Sequence, residues 1–163
     1  GCGLGKTFEL ARLRYDRLII LADADADGNH IATLLLTFLY RYLPKLITNG
    51  KVFLAQPPLY RVDAGKQTHW ALDDQHLNTV LEEVKRRNSQ TRPEVTRFKG
   101  LGEMMPKVLW DTTLNPKTRR LLRVSIADQI GTDRIIADLM GRDASARFRF
   151  IMDRAESADA LDV

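Results

Sequence analysis

Apolar positions change period several times along the chain, and each change marks an element. The run Leu18-Ile19-Ile20-Leu21 sits in a segment, residues 17–23, that reads as a strand. Directly after it, Ile31, Leu34, Leu35, Phe38, Leu39 and Tyr42 recur at helical spacing. That spacing predicts a long amphipathic helix over 29–43, interrupted by Pro44. Val52–Ala55, Leu59–Val62 and Thr68–Leu72 read as short strands, separated by Pro57-Pro58 and by a turn at Gly65. Asp73 or Asp74 caps a helix that ends near Arg87, and a polar loop runs from Asn88 to Pro93. Beyond the Gly100-Leu101-Gly102 turn, Pro106 suits the first position of a short helix to Asp111, which Asn115-Pro116 ends. The remainder reads as a strand over 120–126 and helices over 128–140 and 144–156. No internal repeat is present, and the largest shift in composition falls at Thr91–Gly102.

Chemistry concentrates where the first strand gives way to the long helix. Leu18 to Ile31 carries Asp23, Asp25 and Asp27 at the exit of the apolar run. Residues two apart in a strand share a face, so Asp23 and Asp25 would repel each other unless a cation lay between them. Such hard oxygen ligands suit Mg²⁺ or Ca²⁺. An EF-hand loop begins with the same Asp-x-Asp-x-Asp-Gly spacing, but its twelfth position needs a bidentate Glu. Here that position is Leu34, and the preceding segment is a strand, so the calcium-loop reading fails. The acids instead lie in a strand-to-helix turn. Ligands bind at the carboxyl ends of strands in open parallel sheets, and the neighbouring helix N-terminus favours a phosphate. Metal plus phosphate is the chemistry the turn suggests.

Three stretches in order carry a resemblance: Asp23-Ala24-Asp25-Ala26-Asp27-Gly28-Asn29-His30-Ile31, then Gln56-Pro57-Pro58-Leu59-Tyr60, then Arg97-Phe98-Lys99-Gly100-Leu101-Gly102-Glu103-Met104. Together they resemble the B subunit of bacterial type IIA DNA topoisomerases, among which gyrase and topoisomerase IV both fit. The resemblance runs from Gly1-Cys2-Gly3-Leu4-Gly5 to Leu161-Asp162-Val163. It implies an α/β fold: a Rossmann-like TOPRIM domain over 1–90, followed over 91–163 by the Gly-Leu-Gly loop and a mostly helical C-terminal tail. It implies Asp23 and Asp25 as catalytic metal ligands for Mg²⁺, for which Mn²⁺ or Ca²⁺ can substitute, with Asp27 as an alternate ligand. It further implies DNA and a topoisomerase A subunit as partners in an A2B2 heterotetramer. The A subunit would supply the tyrosine that attacks DNA, and ATP would bind elsewhere in the longer protein. The family's Glu-Gly-x-Ser-Ala strand would stand before Gly1, and Glu82, Glu83, Glu94, Glu103 and Glu156 lie in no such motif. The expectation is therefore a fragment that holds the Asp half of a metal site and is inactive alone. A non-catalytic TOPRIM module that binds nucleic acid or a partner is the alternative. Met105 departs from the family's usual Asn.

Composition bounds these readings. With 163 residues, 44% hydrophobic and 28% charged, the chain can bury one core. A single cysteine, Cys2, excludes an intramolecular disulfide and suits a cytoplasmic protein. The longest charge-free stretch of the long helix, residues 31–40, is about half of the roughly 20 residues a membrane span requires, so no membrane partner is expected. The formal charge of +4 permits a polyanion, and its distribution says more. Lys85, Arg86, Arg87, Arg92, Arg97 and Lys99 face a single Glu94, and Lys117, Arg119, Arg120 and Arg123 form a second cluster. Lys85 to Arg87 read as the solvated end of a helix. Arg97 and Lys99 flank a glycine-rich turn that can approach a ligand closely, and with His30 they form the candidate DNA contacts. Gly5-Lys6-Thr7 resembles the end of a P-loop without the strand that motif needs. His69 and His76 read as structural, and Tyr15, Tyr40, Tyr42 and Tyr60 as packing residues.

Overall fold

The computed structural model describes residues 1–87 and 92–155. The strands are β1 (Leu18–Ile20), β2 (Val52–Ala55), β3 (Tyr60–Ala64), β4 (Gln67–Ala71), β5 (Glu94–Arg97) and β6 (Leu121–Arg123). The helices are α1 (Ala26–Tyr42), α2 (Pro44–Thr48), α3 (Asp74–Arg87), α4 (Pro106–Leu109), α5 (Gln129–Met140) and α6 (Ala144–Arg154). The mixed α/β class expected from the sequence is the one observed. The strands form two three-stranded sheets, ordered β1-β2-β6 and β4-β3-β5. Pro44 both stops α1 and opens α2 at its first position, where a fixed φ and a missing N–H cost nothing. Residues 88–91 of the polar loop expected over Asn88–Pro93, and the end of the last helix at Glu156, lie outside the described residues.

Contacts divide the chain into two units that interleave in sequence. One contains Ile19–Asn29 and Phe53–Leu122. Its core is the β4-β3-β5 sheet with α3 laid on it: Tyr60, Val62 and Ala71 meet Val80 and Val84, and Leu77 and Leu81 border them. Those four α3 positions recur at i, i+3, i+4 and i+7, so one stripe faces the sheet. The register is antiparallel throughout, with Tyr60 opposite Ala71 on one side and opposite Arg97 on the other. Asp73 is the cap of α3, because its Oδ1 accepts the His76 N–H at 2.7 Å. Asp74 has a different task, accepting a hydrogen bond from the Tyr60 hydroxyl.

Among the described residues, the other unit contains Gly1–Leu18, His30–Val52 and residues 123–155. Its buried apolar residues are Phe8, Leu39, Leu43, Leu46, Ile47 and Val52, with the ring of Tyr40. The Tyr40 hydroxyl donates to Asp133 Oδ1 at 2.8 Å and accepts from Gln129 Nε2 at 2.7 Å, which ties α1 to α5. The Leu18 N–H donates to the Lys51 carbonyl at 2.7 Å and the Val124 N–H to the Val52 carbonyl at 3.0 Å.

Three sequence expectations change. Strand β5 was not expected, since only Val95 and Thr96 favour it and all four of its residues are exposed; the open edge of β3 decides the pairing. The helix α1 begins at Ala26, earlier than the apolar period indicates, because Asp25 caps it. Tyr40 and Tyr60 are buried as expected, whereas Tyr15 and Tyr42 are 67% and 50% exposed. Tyr42 belongs to the outward stripe of α1 with Ile31, Leu34, Leu35 and Phe38, all at least 43% exposed. A helical period locates such a stripe but does not say what covers it.

Both buried tyrosines resist ionisation. The hydrogen bond to Asp74 and then burial raise Tyr60 above its ordinary value, while burial and then the Asp133 hydrogen bond raise Tyr40. An unfolded tyrosine ionises near the ordinary value of 10.0, so above that pH unfolding releases protons and stability falls. The melting temperature, followed from about pH 9 to about pH 11, should therefore drop, and Tyr60→Phe should make the drop shallower. At neutral pH the same substitution should cost about 1 kcal/mol for the lost hydrogen bond.

Candidate metal and phosphate site

The chain leaves β1 at Ile20 and enters α1 at Ala26, so the acids occupy the connecting turn and the first helical residues. Asp25 is the residue before α1: its Oδ1 accepts the Gly28 N–H at 2.6 Å and its backbone carbonyl accepts the Asn29 N–H at 3.0 Å. It thus satisfies an orphan donor of the helix and places negative charge on the positive end of the dipole. Asp27, which is exposed, adds charge in the first turn of α1. Asp23 points elsewhere. Its Oδ1 accepts the backbone N–H of Leu101 at 2.7 Å, across 78 residues of sequence. The expectation that Asp23 and Asp25 share a strand face is corrected accordingly, because β1 has ended and each carboxylate is aimed by its own backbone amide.

Two glycines make this possible through space rather than backbone angle. A Cβ at Gly28 would lie 2.1 Å from the Asp23 carbonyl oxygen, and one at Gly100 would lie 3.1 Å from Asp23 Oδ2. The turn after β1 therefore folds tightly over the first turn of α1, and the Gly-Leu-Gly turn sits against the Asp23 carboxylate.

That second turn is held at both ends. The Phe98 N–H donates to the Leu59 carbonyl at 2.8 Å, and the Phe98 ring stacks on Trp70 with centroids 6.3 Å apart. Met104, 7% exposed, anchors the far end. Between them the Lys99 N–H donates to Glu103 Oε2 at 2.8 Å. Residues 23–29 of the first motif and the whole of the second and third consequently lie in one unit: Leu59 of the second holds Phe98 of the third, and Leu101 of the third holds Asp23 of the first.

The sequence candidates separate in this arrangement. Asp23 and the turn bearing Lys99 come together, and Lys99 is exposed there. Arg97 ends β5 with its guanidinium 6.0 Å from the Tyr60 ring centroid, so part of its role is on the sheet. His30 is exposed on α1, and no hydrogen bond or ion pair among the described residues engages its imidazole. Sequence reasoning missed Gly28, the Leu101 amide and Glu103. The Asp-Gly step was a visible signal for the first, and nothing local announced the other two.

Among the described residues no three His, Cys, Asp or Glu side chains converge into a metal cage. The donor chemistry nevertheless fits a hard divalent cation in part. A carboxylate has two oxygens, and the backbone amides of Leu101 and Gly28 take one each from Asp23 and Asp25. Each carboxylate keeps a second oxygen that is chemically able to serve a cation.

Comparison with known proteins matches two families in the chain. The Toprim domain matches residues 4–57, and the family described as the DNA gyrase B subunit, carboxyl terminus, matches residues 90–152. All 163 residues align with the DNA gyrase B protein of Clostridium acetobutylicum at 46% identity, with that of Archaeoglobus fulgidus at 45% and with that of Thermotoga maritima at 47%. In each case the chain spans about a quarter of the relative's length, 25%.

The glycine geometry is directly testable. Gly28→Ala would gain up to about 1 kcal/mol of helix propensity, but its methyl would collide with backbone that cannot swing away. The collision should win, with a net loss of about 1–3 kcal/mol by chemical denaturation. Gly100→Ala meets only the end of a side chain and should cost less, on the order of 1 kcal/mol or under, while disturbing Asp23.

Proposed function

The chain belongs to the DNA gyrase B family, and on that premise we propose that it is the metal-holding segment of a type IIA DNA topoisomerase, supporting transient cleavage and religation of both DNA strands. The observation that carries the reading is the Asp23–Leu101 hydrogen bond, which joins the acidic turn to the loop bearing Lys99. In this reading residues 1–90 are the Toprim core and 91–163 the carboxyl-terminal segment. The two family matches, at 4–57 and 90–152, support that division.

Asp23 and Asp25 would hold Mg²⁺, with Asp27 as an alternate ligand and with water, DNA phosphate or other segments of the longer protein completing the shell. Bound Mg²⁺ would stabilise the negative charge that develops on the phosphate oxygens during phosphodiester transfer. The chain's own contribution is placement. The Leu101 amide orients the Asp23 carboxylate, and the Gly28 amide orients that of Asp25. Lys99 and Arg97 meet the DNA backbone as phosphate-neutralising cations, and His30 lies on the first turns of α1 where a phosphate is favoured by the helix dipole. The tyrosine that attacks DNA comes from a partner A subunit in an A2B2 assembly, ATP binds elsewhere in the longer protein, and the enzyme works in the cytoplasm. No described helix is long and apolar enough to cross a membrane. A module that binds DNA or a partner without chemistry is the competing reading.

Asparagine substitutions separate them. Asn still accepts an amide hydrogen bond and is a good helix cap, so Asp23→Asn with Asp25→Asn removes charge while keeping both backbone contacts. The double variant should keep the fold, lose Mg²⁺ binding measured by calorimetry, and abolish DNA cleavage by the complete enzyme. Intact cleavage would remove the metal reading. The unaltered chain by itself should bind Mg²⁺ more weakly than low micromolar.

Lys99→Ala should reduce cleavage and flatten the salt dependence of DNA affinity by about one unit of slope. Its melting temperature should stay within about 2 °C, as for other exposed substitutions. A large stability loss with normal cleavage would make Lys99 structural.

A further inference from the structure

The Gly-Leu-Gly turn must keep its shape for Leu101 to reach Asp23, yet glycines at 100 and 102 leave it little stiffness of its own. Its ends are pinned by Phe98 and Met104. Within it, the Glu103 N–H donates to the Gly100 carbonyl at 3.1 Å and the Met104 N–H to the Leu101 carbonyl at 3.2 Å. Those backbone bonds are the ordinary bonds of a 3₁₀ turn. A further bond comes from a side chain: the Glu103 carboxylate accepts the Lys99 N–H at 2.8 Å, a charge-assisted contact spanning the whole turn. Glu103 is exposed, so it is not held there by burial. Its reach back to residue 99 closes a five-residue ring with Leu101 at its centre and Gly100 packed against the Asp23 carboxylate.

We propose that Glu103 is a positioning residue: by clamping the Lys99 amide it holds the turn in the one shape in which the Leu101 amide fixes the Asp23 carboxylate for a divalent cation. The metal half of this statement rests on the functional reading above. The clamp itself does not. Glu103 acts through hydrogen-bond reach, which distinguishes it from a metal ligand and from a negative charge that simply attracts cations. Gln has the same reach without the charge, and Asp has the charge without the reach.

The test uses Glu103→Gln, Glu103→Asp and Glu103→Ala in this chain, with two measurements. Hydrogen exchange of the Leu101 amide is followed without metal, and Mg²⁺ affinity is then measured by calorimetry. Glu103→Ala and Glu103→Asp should speed Leu101 exchange roughly tenfold, the change expected for one lost hydrogen bond. Both should also weaken Mg²⁺ binding by about three- to tenfold, while the melting temperature moves by no more than about 2 °C. Glu103→Gln should stay within about twofold of the unaltered chain on both measurements. A Gln variant that loses Mg²⁺ as fully as Ala overturns the proposal in favour of a ligand or charge role. Unchanged Leu101 exchange in Glu103→Ala overturns it outright. If Asp23→Asn with Asp25→Asn binds Mg²⁺ normally, the functional reading alone fails, and the metal-free exchange still decides whether Glu103 holds the turn.

Discussion

A hydrogen bond between Asp23 Oδ1 and the Leu101 amide, 2.7 Å long, is the constraint on which the candidate site depends. It converts an acidic turn and a glycine-rich turn, far apart in sequence, into one surface. An ionised acceptor makes such a bond stronger and shorter than a neutral one, so it can orient an exposed carboxylate that would otherwise rotate freely. The same bond explains why residue 100 is glycine: a Cβ there would press on the carboxylate being oriented.

The start of α1 concentrates negative charge at a helix terminus, and that placement reconciles two demands. Asp25 satisfies the Gly28 amide and Asp27 sits in the first turn, where the dipole offsets the cost of crowding. Capping and cation binding need not compete, since one carboxylate oxygen serves the amide and the second is chemically able to serve a cation. Gly28 lets the preceding turn close down on the helix, with the Asp23 backbone where a Cβ would lie.

Support for the loop comes from the small sheet. At the entry to β3, the Leu59 carbonyl accepts the Phe98 N–H and the Tyr60 ring lies beneath the Arg97 guanidinium. The α3 helix braces that sheet through Val80 and Val84, and Asp74 on α3 takes the Tyr60 hydroxyl. A cation-bearing loop with two glycines thereby gains a rigid base, the arrangement in which functional groups on loops are placed by a scaffold.

The sequence by itself determined the α/β class, the positions of most strands and helices, and where the carboxylates cluster, because each is written in local spacing: the helical period of α1 and α3, the prolines at 44 and 106, and the run of alternating aspartates. It also ordered three motifs whose likeness to the B chains of type IIA topoisomerases the gyrase B relatives bear out. Only the tertiary structure decided that the motifs converge, that β5 pairs with the open edge of β3, and that Asp23 answers to Leu101 while Asp25 answers to Gly28. A backbone amide has no side-chain identity to read, and a contact across 78 residues leaves no periodic trace. Glu103 was illegible for the same reason: its function is a reach to a neighbouring amide, and that exists only once the glycine turn has closed.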